Sequence, residues 1–187
     1  MERSLDASAS PVTQLVWQRF GDALRREPSL ALDLADVTTQ ALPVTPATRA
    51  YCAAIEAAAA ADDADGGGRM IGHVYCRYFA DLFGGQALAA PTRYALAPAV
   101  LPGTPRHYEF GAFGANRRES IEGLYAAFNE AGDALGSEAA LQAVVDETNA
   151  AFRSNVALYT EEGQLWSGAA RGVGNMVGGF ARAKLIG

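Results

Sequence analysis

The sequence predicts an all-α protein, and three observations carry that prediction. Alanine, the best intrinsic helix former, supplies 39 of 187 residues. Apolar residues recur at helical spacing in segment after segment. Prolines and glycines gather between those segments, where helices stop. The length suits one domain with a real core, and mean hydropathy near zero fits a globular chain. The net charge of −6 argues against a phosphate-backbone binder, which needs clustered Lys and Arg, so no nucleic-acid partner is expected. Two His and two Cys leave few ways to build an all-N/S metal site, and none is assigned.

From the start, Asp6–Pro11 reads as a short polar lead-in. Leu15, Val16, Phe20 and Leu24 then form one helical stripe, and Pro28 is read as its end. Leu30–Ala41 is predicted helical, stopped by Pro43-Val44-Thr45-Pro46. Thr45 is a candidate N-cap, with Pro46 at the first position of a helix running from Ala47 to Ala61. Asp62–Gly68 is the clearest loop. Met70–Leu88 places Ile71, Val74, Tyr78, Phe79 and Leu82 at helical spacing, and Gly84-Gly85 predicts a bend. Four prolines mark Ala89–Arg106 as a connector with at most short turns. His107–Phe113 is an aromatic run, short and extended or a packed loop. Ser120–Ala134 is helical, capped by Asn116 or Ser120, and Ser137 opens a last helix to about Glu161.

The run Ile71-Gly72-His73-Val74-Tyr75-Cys76-Arg77-Tyr78-Phe79-Ala80-Asp81-Leu82-Phe83-Gly84-Gly85-Gln86 resembles the distal helix of the haem oxygenase family. A His, two Tyr, an Arg, an Asp and a Gly-Gly-Gln stand in that family's register, and only Ala80 replaces a family glycine. Leu42–Ala47 is similar to the start of the preceding family helix, and Ala150–Glu162 to its last long one. The resemblance covers residues 1–166, so the chain divides into a haem-oxygenase-like helical domain, 1–166, and a Gly-rich tail, 167–187.

The resemblance implies a haem cofactor and names its contacts. Gly84 and Gly85 would let the backbone lie against a flat macrocycle, because they carry no side chain. Asp81 would organise a distal water network as the catalytic group. Tyr75 and Arg77 would be polar groups near the pocket, with Tyr78 packed within it. The same residues also fit plain structure: Gly-Gly permits close helix packing, Tyr78 suits a core, and Arg77 and Asp81 have the spacing of a helical ion pair.

Three departures bear on activity. The family holds its iron through a histidine on a proximal helix upstream, yet no histidine precedes His73 here. By register, Met1–Ser4 matches the family's second helix, so a domain truncated at its N-terminus is expected. Glu122 and Ala126 stand where the family places cations for the haem propionates, with Arg117 and Arg118 as substitutes one to two turns away. Ala80 puts a methyl where a glycine faces haem. The reading drawn is a non-catalytic helical binding or assembly module. The alternative is a truncated form of an active enzyme that uses O₂ and reductase electrons to cleave haem to biliverdin, CO and iron.

A bundle without its first helices would expose apolar surface, so a protein partner, larger assembly or dimer is expected. The tail, with Met176, Val177, Phe180 and Leu185 beside Arg182 and Lys184, suits a flexible arm or contact with a partner or membrane surface. No secretory signal is read at Met1–Ser4, and no apolar run spans a bilayer. With Cys52 and Cys76 read as reduced, a cytoplasmic or organelle-stromal compartment is expected. Paired Glu-x-x-His motifs for a di-metal site and a phosphate-binding loop are absent, His73-x-x-Cys76 lacks a second ligand pair, and the glycines at 172–178 follow no strand.

Overall fold

The computed structural model describes residues 1–37, 43–95, 105–114 and 116–161, and positions 173, 174, 177, 178 and 181 of the tail. Among the described residues there are helices and turns and no strand, as the alanine content and apolar spacing predict. Among the described residues, no helix is long and apolar enough to cross a membrane.

The helices are α1 (Glu2–Ala7), α2 (Pro11–Leu24), α3 (Glu27–Val37), α4 (Pro46–Asp65), α5 (Arg69–Val74), α6 (Gln86–Ala95), α7 (Arg117–Ala134) and α8 (Glu138–Thr160). Two π turns, Tyr75–Phe79 and Asp81–Gly85, lie between α5 and α6. Caps explain several boundaries. Ser10 Oγ accepts from the Thr13 N–H at 3.2 Å with Pro11 next, and Thr45 repeats the arrangement through Thr48 with Pro46. Gly66 ends α4 in the left-handed region at φ 72°, and Ser137 caps the start of α8 through the Ala140 N–H.

Several expectations need correction. The residues before the polar lead-in form a helix, α1, which overlaps it only at Asp6 and Ala7, and fully buried Leu5 anchors that turn. Pro28 does not end α2; it sits in the first turn of α3, where a missing N–H costs nothing. The connector expected from Ala89 is helical to Ala95, with Pro91 as the sixth residue of α6, where its ring removes one backbone bond. The aromatic run forms two 3₁₀ turns, Arg106–Tyr108 and Gly111–Phe113. α7 starts at Arg117 after Asn116, whose side chain makes no capping bond. Positions 38–42 and 96–104 and most of the tail lie outside the described residues.

The chain forms two compact units. The first comprises Met1–Arg25, Val44–Phe79 and Phe110–Leu158. Its core holds Val16, Leu24, Met70, Val74, Phe113 and Leu124, each almost wholly buried. α2 packs on α7, where Arg19 and Glu130 pair across the surface. Asp6 of α1 accepts from the Trp17 indole at 2.8 Å and from both Arg25 amino groups. Those bonds, Arg25's first, hold its carboxyl down to about 2. The second unit comprises Arg26–Pro43, Ala80–Glu109 and Tyr159–Gly187. There α3 meets the Arg106–Tyr108 turn, and α6 meets the second π turn.

α4 and α5 are tied by a single carboxylate. Asp62 is fully buried and accepts from the Arg69 N–H at 2.9 Å, the Met70 N–H at 2.8 Å and the Arg69 guanidinium at 3.2 Å. It thus satisfies orphan N–H groups at the start of α5. Removing it would strand buried donors, at a cost of about 3 kcal/mol. Asp62→Ala is therefore expected to lower the thermal midpoint by several degrees, whereas Asp63→Ala, on the outer edge, should change it far less. Equal melts would refute that role.

Candidate functional site

The segment from His73 to Gly85 crosses the boundary between the two units, so its halves are described separately. In the first unit, α5 and the first π turn run against α8. Gly72 makes that approach possible: a Cβ there would stand 2.6 Å from Thr148 Oγ1 and 3.1 Å from the Val144 carbonyl. Next to it, His73 is fully buried, and its Nε2–H donates to Glu147 of α8 at 2.9 Å. Its Nδ1 is buried without a partner. Burial pushes the imidazole below its ordinary range, the nearby Glu147 carboxylate opposing in part, so His73 is neutral at pH 7.

Further along, Arg77 Nη1 donates to Asn155 Oδ1 at 2.7 Å. The Asn155 amide donates to Tyr51 Oη, Cys76 Sγ and the Ala151 carbonyl. Burial raises both the Tyr51 phenol and the Cys76 thiol, which keeps the thiol protonated and unreactive. Cys76 and Cys52 are both free, as expected, though Cys52 is exposed. Arg77, whose spacing also suited an ion pair with Asp81, is thus engaged by Asn155.

Tyr75 and Tyr78 part ways. Tyr78 is 2% exposed, stacks on Trp17 with ring centroids 6.2 Å apart, and donates its hydroxyl to Glu2 at 2.9 Å. It is a core residue. Tyr75 is exposed and packs on Phe79 and Phe128, and Phe79 also meets Tyr125 edge-on. Tyr75 lines a groove of about 540 Å³ with Ile71, Phe128, Leu135, Leu141 and Val145.

In the second unit, Asp81 opens the second π turn half-buried, and its carbonyl accepts from the Gln86 amide at 3.0 Å. The two glycines differ. Among the described residues, a Cβ on Gly84 would meet nothing within 4 Å, whereas one on Gly85 would stand 2.7 Å from the Tyr108 ring. Gly84 keeps a bare face; Gly85's is covered by the protein itself. Beside Tyr108, His107 donates its Nδ1–H to Asp33 at 2.7 Å, and Asp33 also accepts from the Arg106 and His107 N–H groups. Burial opposes ionisation of Asp33, but those bonds together hold its carboxyl below the usual range. The expected bend at the glycine pair is preceded by a loss of α geometry at Tyr75, where π turns begin.

A family model described as Heme oxygenase matches residues 1–161. This chain belongs to the haem oxygenase family. Neither a curated protein nor a solved structure matches it. The all-α fold expected of a haem oxygenase is the fold observed. Haem is the cofactor for which this family is named, and the described residues can be tested against it. Gly84 leaves room for a flat ring. For the iron, the His73 imidazole is buried against Glu147, and His107 is held at Nδ1 by Asp33, which leaves Nε2 as its other ring nitrogen. For the propionates, Arg118 donates to Glu122 at 2.8 Å instead of standing free.

Glu147, Asn155 and Tyr108 went unassigned in the sequence. A signal existed for the first two: with Val144, Thr148 and Ala151 they fall on the inward stripe of α8, where a Glu or Asn needs a buried partner. Nothing in sequence links Tyr108 to Gly85. The contrast between the glycines is testable in the melting curve. Gly84→Ala should be neutral or stabilising by up to about 1 kcal/mol, from helix propensity. Gly85→Ala should destabilise by about 1–3 kcal/mol through the clash with Tyr108. Identical effects would contradict the assignment.

Proposed function

We propose that this haem oxygenase family chain works as a non-catalytic helical binding or assembly module. One observation carries the reading: each of the two histidines is spent on a carboxylate. His73 serves α8 through Glu147, and His107 serves α3 through Asp33. A family reaction at iron needs an imidazole presented to an open haem face. A fully buried ring that ties two helices together is poorly suited to that task. The propionate side supports the same reading, because Glu122 neutralises the nearest guanidinium, Arg118. So does the apolar surface on α8, where Phe152 and Val156 are exposed.

A second reading draws on Gly84 and Asp81. The bare face of Gly84 suits a macrocycle, and Asp81 stands in the family's register for the distal water network. On that reading the chain is a form of an active haem oxygenase, releasing biliverdin, CO and iron. His107 Nε2 is then the ring nitrogen left for iron.

Hemin titration of the purified chain separates the two. The non-catalytic reading predicts a free-hemin spectrum, with no biliverdin after reductant and oxygen are added. A stoichiometric histidine-type Soret band that decays to biliverdin would overturn it, and loss of that band in His107→Ala would identify the ligand.

A further inference from the structure

We propose that the outward face of α8 is a twofold interface that pairs this chain with a second copy of itself. The proposal rests on the assembly reading above and deepens it by naming the partner. Along α8, Leu141, Val145, Phe152 and Val156 are 42%, 45%, 46% and 61% exposed. Their spacing puts them on one side of the helix. The stripe continues into the apolar groove beside it, which Leu141 and Val145 also line.

This face is self-complementary. Val145 and Val156 lie at equal distances either side of the Ala150–Ala151 bond, and so do Asn149 and Phe152. A twofold axis through that point sets two copies of α8 antiparallel. Val145 then meets Val156 of the partner subunit, and Asn149 meets the partner's Phe152. Such an isologous contact closes on itself and leaves no second patch to extend.

Charge selects the same pairing. Asp146 and Arg153 lie two turns apart on one flank of the stripe, centred one residue from the same axis. In an antiparallel pair each flank faces its own equivalent. Asp146 therefore faces the partner's Arg153, and the pairing occurs twice. A parallel arrangement would set the flank that carries both charges against the partner's opposite flank and would not bring Asp146 to Arg153. Within the chain, Asp146 accepts one bond from Gln142 at 2.9 Å, and Arg153 has no partner among the described residues. Both are free to pair across the axis.

Sedimentation equilibrium of the full 187-residue chain tests this. The wild type is expected to be a dimer. Asp146→Arg and Arg153→Asp should each weaken it by about tenfold, because each places two like-charge pairs at the interface. The double variant should restore wild-type dissociation to within about threefold, since the pairs re-form reversed. Val145→Glu should give a monomer that keeps the wild-type helical circular dichroism, because Val145 is exposed. A monomeric wild type, or a double variant no tighter than either single one, would overturn the proposal. A monomer with a free-hemin spectrum removes the homodimer and leaves the non-catalytic reading standing. A dimer with a histidine-type spectrum does the reverse.

Discussion

The approach of α5 to α8 at Gly72 is the constraint on which the first unit depends. With a Cβ position only 2.6 Å from Thr148 Oγ1, no residue but glycine lets the two backbones come so close. Once they do, the neighbouring side chains have little choice. His73 falls against Glu147, and Arg77 reaches Asn155. Each is a polar group inside a helical interface, and each is satisfied only by a partner on the other helix. The contact is therefore specific in register as well as in depth. Sliding α8 by one turn would strand an imidazole, a carboxylate and an amide together.

That seam changes what the family-matching segment does. Residues that in sequence look like one catalytic strip divide by role. His73, Cys76, Arg77 and Tyr78 are committed to packing in the first unit. Tyr75 remains on the surface and lines a groove. In the second unit, Gly85 is closed by Tyr108, whereas no described residue covers Gly84. A family motif can thus persist letter by letter while its side chains are drawn into structure, because packing and chemistry compete for the same polar atoms.

Much of this was legible in the sequence. Thr45-Pro46 and Ser137 mark helix starts by capping chemistry, which is local and therefore readable. The distal motif and the alanine content gave the fold class. What escaped was set by distant partners. The α1 helix forms because Leu5 is buried by the rest of the unit, and nothing nearby announces it. Pro91 stands sixth in α6 and forfeits one backbone bond, yet the helix continues to Ala95, so proline content alone does not mark the connector. Glu147 and Asn155 were visible as polar residues on an inward stripe, but their partners lie across the fold. Tyr108 covering Gly85 left no trace at all.

The outward side of α8 then follows from the inward one. With Glu147, Thr148, Ala151 and Asn155 turned to α5 and its π turn, Val145, Phe152 and Val156 must face away. The same helix supplies the tie that occupies His73 and the surface offered to a partner. The account stands or falls on that histidine being structural. Imidazole ¹⁵N–¹H correlation spectra of the full chain, recorded across pH 6.5 with and without hemin, address it directly. His73 should be neutral, protonated at Nε2 and bare at Nδ1, remain so below its ordinary range, and keep its signals when hemin is added. A His73 resonance that titrates near 6.5, or that hemin broadens beyond detection, would contradict the account.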